Sequence, residues 1–257
     1  MVSILPTKWE ETPSPTESEL KAADLPQSIA NAVAPQLDIT KTGTFEENLR
    51  QLGSRCEGVL AILSSAYFDG SYKNAVEAAE ILQGSIPIKV VDSKTTSLGL
   101  GMLVQIAAQA AENGLSLSDL ELHLRSLLPR IYTLLCIPGL SYLNRRGFIN
   151  SAQALVGEHL GMLPVFTLDD GELTPSEKAR NKRHLVDIMQ EFLAEFADLQ
   201  HIALLQGTPT FEQETRALRE RLAEDHSATP ISEQIITAPL ASLIGPHSLG
   251  IFALQGE

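Results

Sequence analysis

Three short apolar runs, GVLAILSS (58–65), IPIKVVD (86–92) and RIYTLLCI (130–137), are bounded by turn residues and separated by stretches with helical spacing. No other feature constrains the fold as strongly. Runs of this length read as buried strands. The segments between them are long enough to serve as helical crossovers, and strands joined by crossovers pair in parallel. Helices are expected over 71–83 and over 97–113, the latter closed by Gly114. Ser118 and Glu121 have the spacing of a capping box for the next one.

The second half changes rhythm. A short helix is expected over 151–160, then a strand, PVFTL (164–168), then a turn at DDGE (169–172). Thr174, Pro175 and Glu177 read as a cap, a first-position proline and a box partner, so a helix is expected to start there. It would place Leu185, Ile188, Met189, Phe192 and Phe196 on one face. HIALLQG (201–207) reads as a strand, Thr208-Pro209 as the opening of a helix, and EQIITAP and SLGIFAL as closing strands. The Pro, Thr and Ser-rich stretch from 12 to 28 is the one candidate linker.

Composition removes several function classes. The chain has 257 residues, 44% of them apolar, enough to bury a sizeable core. No apolar run approaches the ~18 residues of a membrane span. MVSILPTKWEETPSP has no basic start followed by a long apolar stretch, so no signal peptide is expected. Cys56 and Cys136 both lie in or beside apolar segments, which suits a reducing cytoplasm rather than a disulfide framework. A net charge of −13 argues against nucleic acid. The positive charge is clustered. Arg145 and Arg146 are adjacent, and SEKARNKR carries Lys178, Arg180, Lys182 and Arg183. This is either a solvated helix start or a site for an anion or partner.

Catalytic and cofactor motifs are mostly missing. Asp92 ends a strand and Gly99-Leu100-Gly101 follows, but Val104 stands where a dinucleotide fingerprint has its third glycine. Close helix packing is the better account of the two glycines. The six histidines have no ligand spacing, so no metal is expected. There is no nucleophile elbow and no P-loop. What remains is Ser64-Ser65 at the carboxyl end of a buried strand, where α/β sheets collect ligands. The pair either caps the following helix or forms a neutral hydroxyl cradle for a carboxylate or phosphate beside the free amides of a helix start.

Four segments, in order, resemble one family. LSSAYFDGSYKNA (63–75) is similar to the double-serine loop of the DegV family of bacterial fatty-acid-binding proteins, which reads SS, a short spacer, SGTY and a small residue. VVDSKTTSLGLGMLV (90–104) resembles that family's DSKSVSMGLG segment. The stretch LSYLNRRGFINSAQALVGEHLGMLPVFTLDDGELTPSEKAR (140–180) follows its LEYLRKGGRI, LLG, KP, DG and EKVRG pattern, and GPHSLGIF (245–252) resembles GPGALGI.

The resemblance implies an α/β protein of two domains, 1–130 with a parallel-rich sheet and helices and a smaller one over 131–257, with an apolar tunnel for one acyl chain between them. It implies a non-catalytic carrier that presents its fatty acid to a separate kinase. For the ligand carboxylate this chain offers Ser65, Ser64, Thr40, Thr42 and His247, and for a headgroup or kinase contact Arg180, Arg183 and Lys178. No cofactor or metal is implied. The alternative is a diverged member that holds another apolar ligand or none, in a structural or regulatory role. The departures are specific. VSILPTKW resembles the family's second strand, so its first strand is expected to be absent. DITKTGTF replaces a Thr-Ser pair, Gly147, Phe148 and Ile149 replace a turn that carries arginine, and the family's histidine falls on or near Leu243.

Overall fold

The computed structural model describes residues 8–9, 20–33 and 37–256. Most of VSILPTKW, and of the expected linker up to residue 19, lies outside them. The chain forms two compact units, each considered by itself. The first contains Lys8, Asp38–Arg130 and the turn Asp169–Glu172. The second contains the remaining described residues. A short ladder joins β1 (Lys8–Trp9) to β2 (Leu37–Asp38).

The first unit is built from α1 (Thr42–Gly53), β3 (Val59–Leu63), α2 (Ser71–Ile81), β4 (Ile88–Asp92), α3 (Ser97–Glu112) and α4 (Leu117–Leu127). β3 and β4 pair in parallel, from Val59 opposite Ile88 to Leu63 opposite Asp92, with α2 as the crossover. The expected parallel pairing therefore holds for two of the three runs; the third, 130–137, joins the sheet of the second unit and runs antiparallel to both of its neighbours there. Ala75 and Ala78 of α2 are fully buried with Phe45, Leu49, Val59 and Leu82. Two alanines one turn apart carry little side-chain bulk, so the helix backbone can lie close to the strands.

Two sequence expectations change in this unit. α4 is capped by Ser116, whose hydroxyl accepts the Asp119 amide at 3.2 Å, not by Ser118. Glu121 pairs instead with Lys89 (2.8 Å) and Arg125 (2.9 Å). Gly101 does not serve close packing, since a methyl group added there would meet nothing within 4 Å.

Apart from the strand ends Asp169 and Glu172, which belong to the first unit, the second unit contains β5 (Ile131–Cys136), α5 (Leu140–Arg145), α6 (Ser151–His159), β6 (Leu163–Asp169), β7 (Glu172–Ala179), α7 (Lys182–Ala194), β8 (Leu199–Gln206), α8 (Glu212–Asp225), β9 (Ile231–Ile235), α9 (Ala238–Ile244) and β10 (Leu249–Gln255). Its six strands run in the order β7-β6-β5-β10-β8-β9. β8 and β9, joined through α8, are parallel, β5 and β6 are antiparallel, and β10 runs antiparallel to both neighbours. β10 is buried from Leu249 through Leu254, as its unbroken apolar run requires of a strand covered on both faces. Leu185, Ile188 and Met189 of α7 sit in the same core, with Phe192 and Phe196 packed against it.

Here the largest correction falls. Thr174, Pro175 and Glu177 do not open a helix; they lie in β7. Asp170 and Gly171 both have positive φ, 46° and 88°, the backbone a two-residue hairpin requires. The chain therefore reverses into a second strand. β7 is an edge strand, where a proline lacking an amide proton is tolerated. α7 starts later, with Asn181 accepting the His184 amide at 2.9 Å. Lys178 and Arg180 are thus not on the helix with Lys182 and Arg183. Thr208-Pro209 is a cis peptide ahead of α8, and the TAP of EQIITAP opens α9 instead of extending β9.

Candidate functional site

The carboxyl ends of β3 and β4 carry a compact group of buried hydroxyls. Ser65, Ser93, Thr95 and Thr96 are all at most 5 % exposed. Backbone bonds continue the ladder past the strand ends: Ser93 donates to the Leu63 carbonyl (3.0 Å) and Ser65 to that of Thr95 (2.8 Å). Ser93 Oγ donates to the Thr95 carbonyl (3.1 Å) and accepts the Thr95 amide (3.3 Å). This folds 93–96 into a tight loop, with Lys94 in the left-handed region at φ 55°. Asp92 completes it, since its Oδ1 accepts the amides of Lys94 (3.0 Å) and Ala66 (3.3 Å).

Ser65 does not cap α2. That helix has Gly70 as its N-cap, and Asp69 Oδ1 accepts the Ser71 amide at 2.8 Å. The Ser65 hydroxyl instead accepts the Tyr67 amide (3.2 Å) and donates to the Gly171 carbonyl (2.7 Å). The turn holding Gly171 is tied to the same loop by charge. Lys94 Nζ lies 3.4 Å from Asp92 and 3.6 Å from Asp170. Burial pulls the Lys94 pKa down, but Asp92 and Asp170 outweigh it and the net direction is up, so Lys94 stays charged. Tyr67 is pushed up by burial and by Glu172.

Ser64 is half-buried beside Ser65. Thr40 and Thr42 meet α2: the Thr40 carbonyl accepts from Asn74 (2.8 Å), and Thr42 Oγ1 donates to Glu77 (3.0 Å). His247 belongs to the second unit, stacked on Phe211 at 4.2 Å with Nδ1 3.0 Å from the Pro209 carbonyl. Leu243 is buried inside α9. The expected island of four cations is broken up. Lys182 pairs with Glu214 (3.7 Å) and lies over the Phe211 ring, while Lys178, Arg180 and Arg183 are exposed.

Sequence reasoning missed Asp92, Lys94, Asp170 and Gly171 as members of the Ser65 site. The available signal was DDGE, a turn with two acidic residues ahead of its glycine. Among the described residues no group of three His, Cys, Asp or Glu side chains is placed to hold a metal ion, and no helix is long and apolar enough to cross a membrane.

The model of the DegV family, described as uncharacterised protein, matches residues 5–256. A DegV domain-containing protein of Caldanaerobacter subterraneus subsp. tengcongensis is 28% identical over 212 residues, 81% of this chain and 74% of that one. A Thermus thermophilus DegV family structure, described by its fatty acid binding, aligns with a TM-score of 0.75 and 27% identity, covering 88% of this chain and 81% of that one. The Streptococcus pneumoniae Fatty Acid Kinase B3 protein, loaded with linoleic acid, has the same fold, with a TM-score of 0.76, 18% identity, and 88% and 80% coverage.

Proposed function

This chain belongs to the DegV family, and we propose that it is a cytoplasmic carrier of one long-chain fatty acid. The acyl chain is buried in an apolar tunnel and the carboxylate is held on hydroxyls, Ser65 foremost, with Ser64, Thr40 and Thr42 as the other candidates. The observation that carries this reading is the setting of Ser65. It is a buried hydroxyl at the carboxyl end of a parallel strand pair, it does not cap the helix beside it, and its segment resembles the family's double-serine loop. Burial of the acyl chain contributes about 0.8 kcal/mol per CH₂. An unpartnered carboxylate would cancel much of that gain, so its hydrogen bonds are needed.

The fatty-acid description of the Thermus relative supports the ligand class. The Fatty Acid Kinase B3 name of the pneumococcal relative supports a kinase partner. In this reading the chain does no chemistry on the acid and presents it to that kinase. A second reading, a diverged member with another apolar ligand or none, is favoured by one observation: the single Ser65 proton is already given to Gly171.

Mass spectrometry of organic extracts from the purified protein separates the two. A stoichiometric C14 to C18 acid is expected. Protein that remains empty after incubation with such acids would overturn the carrier reading.

A further inference from the structure

We infer that the Asp170–Gly171 turn is an internal cap on Ser65, occupying the hydrogen bond that an arriving carboxylate must take. The inference rests on the carrier reading and adds a mode of control to it. A serine hydroxyl has one proton. The Gly171 carbonyl takes it at 2.7 Å in a site where Ser65 is 1 % exposed. A carboxylate is an acceptor only, so the two compete for the same donor.

The turn is shaped for this approach. At φ 88° residue 171 favours glycine, and a methyl group added there would lie 2.5 Å from Ser65 Oγ and 3.1 Å from Lys94 Cα. Any side chain would hold the carbonyl off. The second restraint is the pair between Lys94 and Asp170, at 3.6 Å with the Asp170 side chain 85% exposed. An ion pair so open to water is weak and screened by salt. The cap is therefore one buried neutral hydrogen bond and one weak ion pair, enough to seat the turn on an empty site. A charged acceptor makes the stronger bond to the same hydroxyl, so exchange favours the ligand. Salt and the charge on residue 170 set how readily the site opens.

A spin label on Asp169→Cys, in a Cys56→Ser background that leaves only the buried Cys136, tests this directly. Asp169 is exposed, and Asp170 and Gly171 stay intact. Saturating palmitate, with loading followed by native mass spectrometry, is expected to shift the spectrum toward a more mobile component. Adding Ser65→Ala should mobilise the label without any ligand, and Asp170→Asn should do so partly while tightening palmitate binding about threefold, the scale of an exposed pair. A loaded protein whose label stays as immobile as in the empty one would overturn the cap and leave the carrier reading standing. An unchanged spectrum in Ser65→Ala would overturn the cap whether or not acid binds. Absence of loading in every variant would instead overturn the carrier reading.

Discussion

Ser65 Oγ donates to the carbonyl of Gly171, 106 residues further along the chain, at 2.7 Å. One hydrogen bond therefore joins the end of a parallel strand to the tip of a distant hairpin. Its geometry depends on a residue without a side chain. Gly171→Ala should destabilise the protein by about 2 kcal/mol, combining the left-handed backbone with contact against Ser65 and Lys94. Urea denaturation measures this, and a change below about 0.5 kcal/mol, the range of an ordinary surface substitution, would contradict the close approach.

Much of the fold is legible from local pattern. β3, β4, β5, β8 and β10 follow from apolar runs bounded by turn residues, and α7 shows its buried face at helical spacing. The failure at Thr174–Glu177 has a definite origin. The T-P-S-E spelling fits a capping box, and the two left-handed residues just before it outweigh that local preference by reversing the chain into a hairpin. The site was half legible for a related reason. A strand-end serine leaves a mark in the sequence, whereas its partner is a backbone carbonyl, so DDGE marks a turn without marking which strand end the turn meets.

Two partly buried imidazoles give the stability a pH dependence. Burial lowers the pKa of His201 below its ordinary 6.5. His247 is lowered by burial and by Lys182, against the opposing pull of the Pro209 carbonyl and Glu214. The unfolded chain therefore takes up protons first as pH falls. The stability these rings contribute is complete above 6.5 and is lost as pH drops through their lower folded-state values. Melting temperatures between about pH 7 and 5 should fall less steeply in a His201→Gln, His247→Phe double variant than in the wild type. Parallel curves would contradict the assignment.

By the resemblance the family's histidine falls on or near Leu243, and Leu243 is 6 % exposed in α9. Leu243→His should cost about 3 kcal/mol by burying a polar ring without a partner. Thermal melts followed by circular dichroism report it. A neutral effect would mean that this position can open to a polar environment.

The exposed cations Lys178, Arg180 and Arg183 are where an anionic partner would dock under the proposed function. Arg180→Glu should leave fatty-acid affinity within about threefold. It should sharply reduce acyl phosphorylation by a supplied fatty acid kinase at low salt, with the difference shrinking as salt rises. If fatty-acid loading itself is abolished, Arg180 belongs to the binding site and not to a docking surface.

The central claim is that Ser65 holds the carboxylate of a fatty acid, and displacement of a fluorescent fatty acid from wild type and Ser65→Ala tests it most directly. A hydroxyl bond to a charged group contributes about 1.5–3 kcal/mol, but the empty protein already has a neutral bond of about 1 kcal/mol to Gly171 in its place. The difference of about 0.5–2 kcal/mol predicts a loss of roughly two- to thirtyfold in affinity for Ser65→Ala. Equal affinity in the two proteins would contradict the role of Ser65, and no binding by the wild type would contradict the account as a whole.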